Sequence, residues 1–420
     1  MSSPSPAVSP PLSAEWPEYH RDAARSGVGP SDPALGTPAV AWRADFDGDV
    51  YASPLIVNGH VIVATENDTV YSLDLFTGSV VWKTHLGDPV EASSLPCGDI
   101  GPVTGITGTP AADETSGRLF VTAFLRGGHH LLFALSLADG SVAWQRSVDP
   151  VGSVPAVEQQ RGALSIASGF VYVPLGGLYG DCGAYHGYLV GISLDGATAV
   201  AYQVSSARGA GLWNAQGATV GPDGTVYVVT GNATAGGTQD SNAVIALSPD
   251  LHTVRWRFTP PNWAELNATD TDLGSVGATL LPNGLVLAIG KEGVAYALNG
   301  GAAVASVHIC GGAWGGTAWE GSTVFVPCAD GLFALNVGAS SISIAWHAPH
   351  PQMGSPIVSA GVVWAIEPAS GILFALGPSN GQVRYSTGLG AAKHFSTPAA
   401  TDGFVVAPAG RSVVALAVVS

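Results

Sequence analysis

A unit of four short alternating segments recurs along the whole chain and leaves few folds open to it. It is plainest at 50–82, VYASPLIVNGHVIVATENDTVYSLDLFTGSVVW. An apolar segment meets a turn at Asn58-Gly59, and an alternating run reaches Thr65. A second turn at Asn67-Asp68 leads to a third run through Ser72-Leu73; after the Thr77-Gly78 turn, a fourth run closes on Trp82. Period-two alternation between polar turns predicts four antiparallel strands. The third-strand signature, a small residue before Leu or Ile, returns at Leu73, Leu135, Ile192, Leu247, Leu298, Leu335, Leu376 and Leu416. Aromatic residues close the fourth strand at Trp82, Trp144, Tyr202, Trp256, Trp346 and Tyr385. These eight units predict an all-β, eight-bladed propeller of four-stranded antiparallel blades. After Leu416 no fourth strand remains, whereas PAVAWRADF near the N-terminus carries an orphan one with Trp42. The last blade is therefore expected to close with the N-terminal strand 42–46 beside 413–418, which removes free sheet edges.

Successive third-strand positions lie 62, 57, 55, 51, 37, 41 and 40 residues apart. A blade needs about 40 residues, so the first four intervals carry surplus loops, expected on one face and suited to binding or catalysis. The domain expectation is a Ser/Pro-rich tether and approach segment at 1–37 and the propeller at 38–420.

Charge excludes other classes. With 15 basic and 31 acidic residues and a net charge of −16, the chain lacks the clustered Lys and Arg that phosphate backbones require, so no nucleic-acid partner is expected. No apolar run reaches membrane-helix length. The opening MSSPSPAVSPPLSAEW has no basic and no hydrophobic region, and is read as a tether whose export signal is absent from this sequence. Cys97, Cys182, Cys310 and Cys328 form no CxxC or CxxCH pattern, leaving disulfides, which imply export, or buried thiols. If bridged, Cys97 pairs with Cys182, both in long Gly-rich insertions, and Cys310 with Cys328, on neighbouring blades. A monomer is expected.

The unit VYSLDLFTGSVVW, with its Asp74–Gly78 turn and Trp82, resembles the tryptophan-docking repeat of pyrroloquinoline quinone (PQQ) propellers. That superfamily includes quinoprotein alcohol dehydrogenases and non-catalytic relatives. The segment WPEYHRDAARSG is similar to its N-terminal approach segment. The resemblance implies an exported dehydrogenase that oxidises an alcohol or polyol with PQQ and calcium or a lanthanide, passing electrons to a separate acceptor. In GTVYVVTGNAT it assigns a metal-ligating role to Asn232, and Trp213 is in the neighbourhood of the tryptophan under the quinone. In NATDTDLGS, Asp270 matches the catalytic base and metal ligand, and Asp272 the extra carboxylate of lanthanide-using members. In GKEGVAYAL, Lys291 matches the cation presented to the quinone. A hard cation bound by such oxygens polarises a carbonyl, an aspartate takes the alcohol proton, and a lysine stabilises charge on the reduced cofactor.

This chain departs from that pattern at several positions. Leu178 stands where the dehydrogenases place a metal-ligating glutamate, leaving Asp181 as the nearest substitute. Cys97 stands alone where many members cap the quinone with a vicinal cysteine pair, and Thr269 replaces the tryptophan before the base. Beside Cys182, Tyr185-His186-Gly187 forms a compact polar cluster, with His186 a further candidate at the cofactor or in acid-base chemistry on a carbohydrate. Two other readings stay open: a cofactor-free binding or assembly scaffold, and a cofactor-independent carbohydrate-active enzyme in the central depression.

Overall fold

The computed structural model describes residues 15–30, 34–235, 237–238, 240–401 and 403–418; most of the expected Ser/Pro tether, residues 1–14, lies outside them. Eight antiparallel blades of four strands follow one another around a ring, the third with a short fifth strand, Glu158–Gln159, added to it. The first comprises Leu55–Val57, His60–Thr65, Thr69–Asp74 and Val80–His85, with the innermost strand earliest in sequence. The eighth comprises Ala399–Thr401, Phe404–Ala409 and Ser412–Ala417, and takes Ala39–Asp45 from the other end of the chain as its outer strand. Closure thus occurs where the missing strand predicts it, although the N-terminal strand starts a few residues before 42.

Alternation explains the layering. Third strands such as Thr69–Asp74 are buried almost throughout because a sheet packs on each of their faces, while fourth strands such as Val80–His85 alternate towards solvent. The core is correspondingly divided into apolar layers between neighbouring blades. Leu55 and Ile62 of the first blade pack with Val121 and Leu135 of the second, and Val173 and Ile192 of the third with Phe120 and Ala134 of the second.

The repeated tryptophan locks adjacent blades together. A bulge opposite the third-strand Leu puts Trp82 across from Ser72 while Val80 faces Leu73. The indole then reaches the next blade, donating from Nε1 to Leu137 O at 3.0 Å. Trp42 does the same to Leu75 O at 2.7 Å, and Trp346 to Pro378 O at 2.8 Å. In the first blade the glycine of the docking turn is required: Gly78 has φ +70°, and a Cβ there would fall 2.7 Å from the Trp42 ring.

Residues 15–30 do more than approach the ring. Trp16 pairs with Ile56 of the first blade, Pro17 O accepts from Ala112 N of the second, and Glu18 accepts from Ile166 N of the third. Ala23 O accepts from Val220 N of the fourth, Ser26 O from Trp319 N of the sixth, and Gly27 O from Val358 N of the seventh. The segment satisfies backbone groups on innermost strands that otherwise have free edges at the axis. Arg25, fully buried, anchors it by donating to Tyr19 O, Leu164 O and Ala218 O and by pairing with Glu18 at 3.1 Å.

Candidate functional site

In an up-and-down blade, the connection between blades and the hairpin between strands two and three emerge on the same end. Cys97, Asp181, Cys182, His186, Trp213, Asn232, Asp270, Asp272 and Lys291 all occur in such connections, or at their margins. They therefore share one face of the ring, the face that carries the surplus residues.

Five of them meet. Lys291, in the hairpin turn of the fifth blade, places Nζ 2.6 Å from Asp272 Oδ2 and 3.3 Å from Asp270 Oδ2. The same ammonium lies 5.6 Å from the centre of the Trp213 ring. Asn232 donates its backbone N–H to Asp272 Oδ1. The turn is held from both sides: Lys291 N donates to Asp272 O, and Ala313 N to Gly290 O. A Cβ on Gly231 would fall 2.7 Å from Asp272 Oδ1 and 3.0 Å from Trp213 Nε1, so only glycine lets the two side chains meet there. Burial pushes the Asp272 carboxyl up from its ordinary range, opposed by the Lys291 ammonium. Burial acts against the Lys291 charge, but its two aspartates outweigh it and raise its pKa.

The remaining candidates lie to one side. Cys97 is bonded to Cys182, which ties the connection before the second blade to the third-blade hairpin. Asp181, next to that bridge, accepts the Tyr185 hydroxyl at 2.5 Å, and its backbone oxygen takes Arg208. Leu178 is buried beneath the same loop, its Cδ2 3.9 Å from where a Cβ on Gly98 would stand. His186 sets its ring edge-on to Tyr188, 6.1 Å away, while its backbone N–H reaches Glu158 Oε1. The buried His186 Nδ1 has no hydrogen-bond partner among the described residues. Cys310 and Cys328 form a second bridge under the loop that carries Trp314.

Next to Trp213 lies a small depression of about 10 Å³, lined by Tyr19 of the N-terminal segment and by residues such as Tyr51, Arg161, His394 and Phe395 that precede the innermost strands of several blades. Phe395 connects the two regions, 6.3 Å from the Trp213 ring centre and 5.6 Å from the Arg161 guanidinium above it. Arg161 bonds Asp99 Oδ1 at 3.0 Å and His394 Nε2 at 3.2 Å. Burial lowers the His394 pKa to about 4, and the Arg161 and Lys393 cations add to that against the pull of Asp99. The imidazole is therefore neutral at neutral pH and accepts from Arg161 at Nε2. Lys393 pairs with Asp49 at 2.6 Å and lies over Tyr51. Tyr51, Asp99, Arg161, His394 and Phe395 are the residues sequence reading missed. Each sits singly in a loop with no motif around it, and the only signal was its place in the connection before an innermost strand.

The arrangement offers a planar aromatic ligand the half-buried Trp213 ring with the Lys291 ammonium over it, beside a depression that as it stands has room for about one water molecule. A hard metal ion fits less well. Its candidate carboxylates, Asp270 and Asp272, are already engaged by Lys291. Asp181 is bonded to Tyr185, and Leu178 presents hydrocarbon. Among the described residues the one group of three close metal-ligating side chains is Cys310, Cys328 and Asp330, and two of those are in a disulfide.

Comparison with known proteins agrees with the fold. Residues 34–174 match the family model described as outer membrane protein assembly factor BamB. Quinohemoprotein alcohol dehydrogenase from Comamonas testosteroni superposes with TM-score 0.77 at 16% identity, over 97% of this chain and 81% of that one. A europium-containing methanol dehydrogenase gives 0.74 at 15%, over 94% and 89%, and BamB from Moraxella catarrhalis 0.62 at 14%, over 91% and 100%. No curated protein sequence matches significantly. Among the described residues no helix is long and apolar enough to cross a membrane. Repeat, docking tryptophans and ring closure make this chain an eight-bladed β-propeller, and its fold is similar to that of these quinoprotein dehydrogenases and of BamB.

Proposed function

We propose that this is an exported, quinone-dependent dehydrogenase whose substrate is an alcohol or polyol and whose electron acceptor is a separate molecule. The reading rests on the convergence of Trp213, Asn232, Asp270, Asp272 and Lys291 from four separate connections onto one patch beside the axial depression. PQQ, when bound, supplies the two-electron acceptor. Trp213 gives a planar ligand a surface to stack on. Lys291 stands over that ring, 5.6 Å from its centre, placed to stabilise negative charge developing on the ligand. Asp270 has a side chain 64% exposed and opens towards arriving substrate, so its carboxylate is the group placed to take the hydroxyl proton. Asp272, almost wholly buried, fixes Lys291 and is itself fixed by the Asn232 N–H. Two disulfides support export, since such bridges persist in oxidising compartments.

Titration with PQQ, followed by tryptophan quenching and by dye reduction with a panel of alcohols, tests this. Wild-type protein binds and turns over; Trp213→Ala loses binding; Asp270→Ala keeps binding but loses on the order of 10²-fold or more in turnover. Failure of wild-type protein to bind PQQ at all overturns the reading. The second reading, an assembly scaffold, is favoured by Leu178 at the glutamate position and by the BamB match over 34–174. It is the one left standing by that failure.

A further inference from the structure

The group Asp270, Asp272 and Lys291 closes on itself in the way a cation site closes on its ion. Three oxygens surround the Lys291 ammonium: Asp272 Oδ2 at 2.6 Å, Asp270 O at 3.1 Å and Asp270 Oδ2 at 3.3 Å. An ammonium has three protons to donate, so each oxygen has one. The Trp213 ring stands 5.6 Å away on a further side, and the Lys291 side chain is 21% exposed. The remaining oxygen of Asp272 is taken by Asn232 N–H. Calcium needs six to eight oxygens and strongly favours carboxylates. Here an incoming ion would either share two carboxylates with a like charge at contact distance or expel the ammonium into a setting with no other carboxylate bonded to it. Leu178 adds no oxygen to offset either cost.

We infer that Lys291 is the resident cation of this site, occupying with its ammonium the place of a metal ion, so that the protein binds neither calcium nor a lanthanide there. The inference concerns the protein alone and holds whether or not a quinone binds, so it stands or falls separately from the dehydrogenase reading.

Terbium luminescence sensitised by Trp213 reads the site directly. Wild-type protein, titrated with Tb³⁺ to millimolar concentration, is expected to give no saturable emission suppressed by Asp272→Asn. Lys291→Met frees the Asp270 and Asp272 oxygens, and is expected to bind Tb³⁺ on the order of a hundredfold more tightly than wild type, with Asp272→Asn in that background abolishing the signal. Saturation of the wild type at micromolar Tb³⁺, lost on Asp272→Asn, overturns the inference. A Lys291→Met protein with the wild-type melting profile but no gain in emission overturns it too, because its oxygens were then never arranged around a cation; Lys291→Ala repeats the comparison if the methionine variant does not fold.

Discussion

Buried acids dominate how this protein answers to pH: burial raises Glu18 to about 7 against the pull of Arg25, and three others behave alike. Burial raises Asp68 to about 9, with the neighbouring Glu66 charge adding to it. Burial raises Glu66 to about 7 against the Gly105 N–H and Thr107 hydroxyl that bond it, and Glu158 to about 8 against the His186 N–H. In the unfolded chain all four titrate near 4. Between that pH and the folded values the native state holds protons that the unfolded state releases, so stability falls as pH rises from about 4 to about 9. The turn aspartates Asp139, Asp195 and Asp250, lowered from 3.8 by serine hydroxyls and backbone N–H groups, act oppositely, as do the buried His20 and the half-buried His394, lowered to about 3 and about 4: the aspartate contribution is lost as pH falls below 3.8 and the histidine contribution as it falls below about 6.5, two groups against the four acids. A melting temperature measured across pH 3 to 9 should therefore peak in mild acid and decline through neutrality. Asp68→Asn, which cannot ionise, should flatten the alkaline limb by on the order of a few kcal/mol at pH 8. A profile unchanged by Asp68→Asn would show that this carboxyl is not held protonated. Nothing in VATENDTVY announces this burial, because Asn67-Asp68 reads equally well as an exposed turn.

At the scale of the element, the docking turn is where sequence and structure agree most closely. Thr77-Gly78 is a glycine turn by pattern; that its glycine must also admit a neighbour's indole follows only from the 2.7 Å approach of Trp42. Gly78→Ala should cost about 1–3 kcal/mol through positive φ and overpacking, and Trp42→Ala about 3–5 kcal/mol. The double variant should cost less than the sum, since removing the indole leaves only the backbone penalty of the alanine. Strict additivity in chemical denaturation would deny the contact. The bulge that re-aims each tryptophan was not legible, because one extra residue in a four-residue turn-to-strand stretch does not disturb the hydrophobic pattern.

For the whole molecule, the ring is held at two points besides its closing sheet. The axial segment crosses from the first blade to the seventh, and the two disulfides join residues 85 and 18 positions apart. Reduction should lower unfolding free energy by roughly 3–5 kcal/mol per bridge in the chain-entropy model, read as a lower denaturant midpoint in a reducing agent. An unchanged midpoint would mean that the bridges add nothing to the ring. Arg25→Met should cost about 3–5 kcal/mol because it strands the buried Glu18 carboxylate, and Glu18→Gln in that background should recover part of the loss.

The amino-acid sequence by itself determined the blade, the number of blades, their closure by the N-terminal strand and the face that carries the long loops. Each depends on a short-range pattern, two-residue alternation between turns, repeated until the chain can only curve into a ring. Residue likeness to a known repeat also singled out Trp213, Asn232, Asp270, Asp272 and Lys291. What only the tertiary structure decided is how those charges are spent. Lys291 neutralises the aspartates that the resemblance gives to a metal, and Arg161, Asp99 and His394 meet on the axis from loops far apart in sequence. Such meetings are fixed by where the closed ring places its loops, and no periodicity in the chain constrains which side chain each loop carries there.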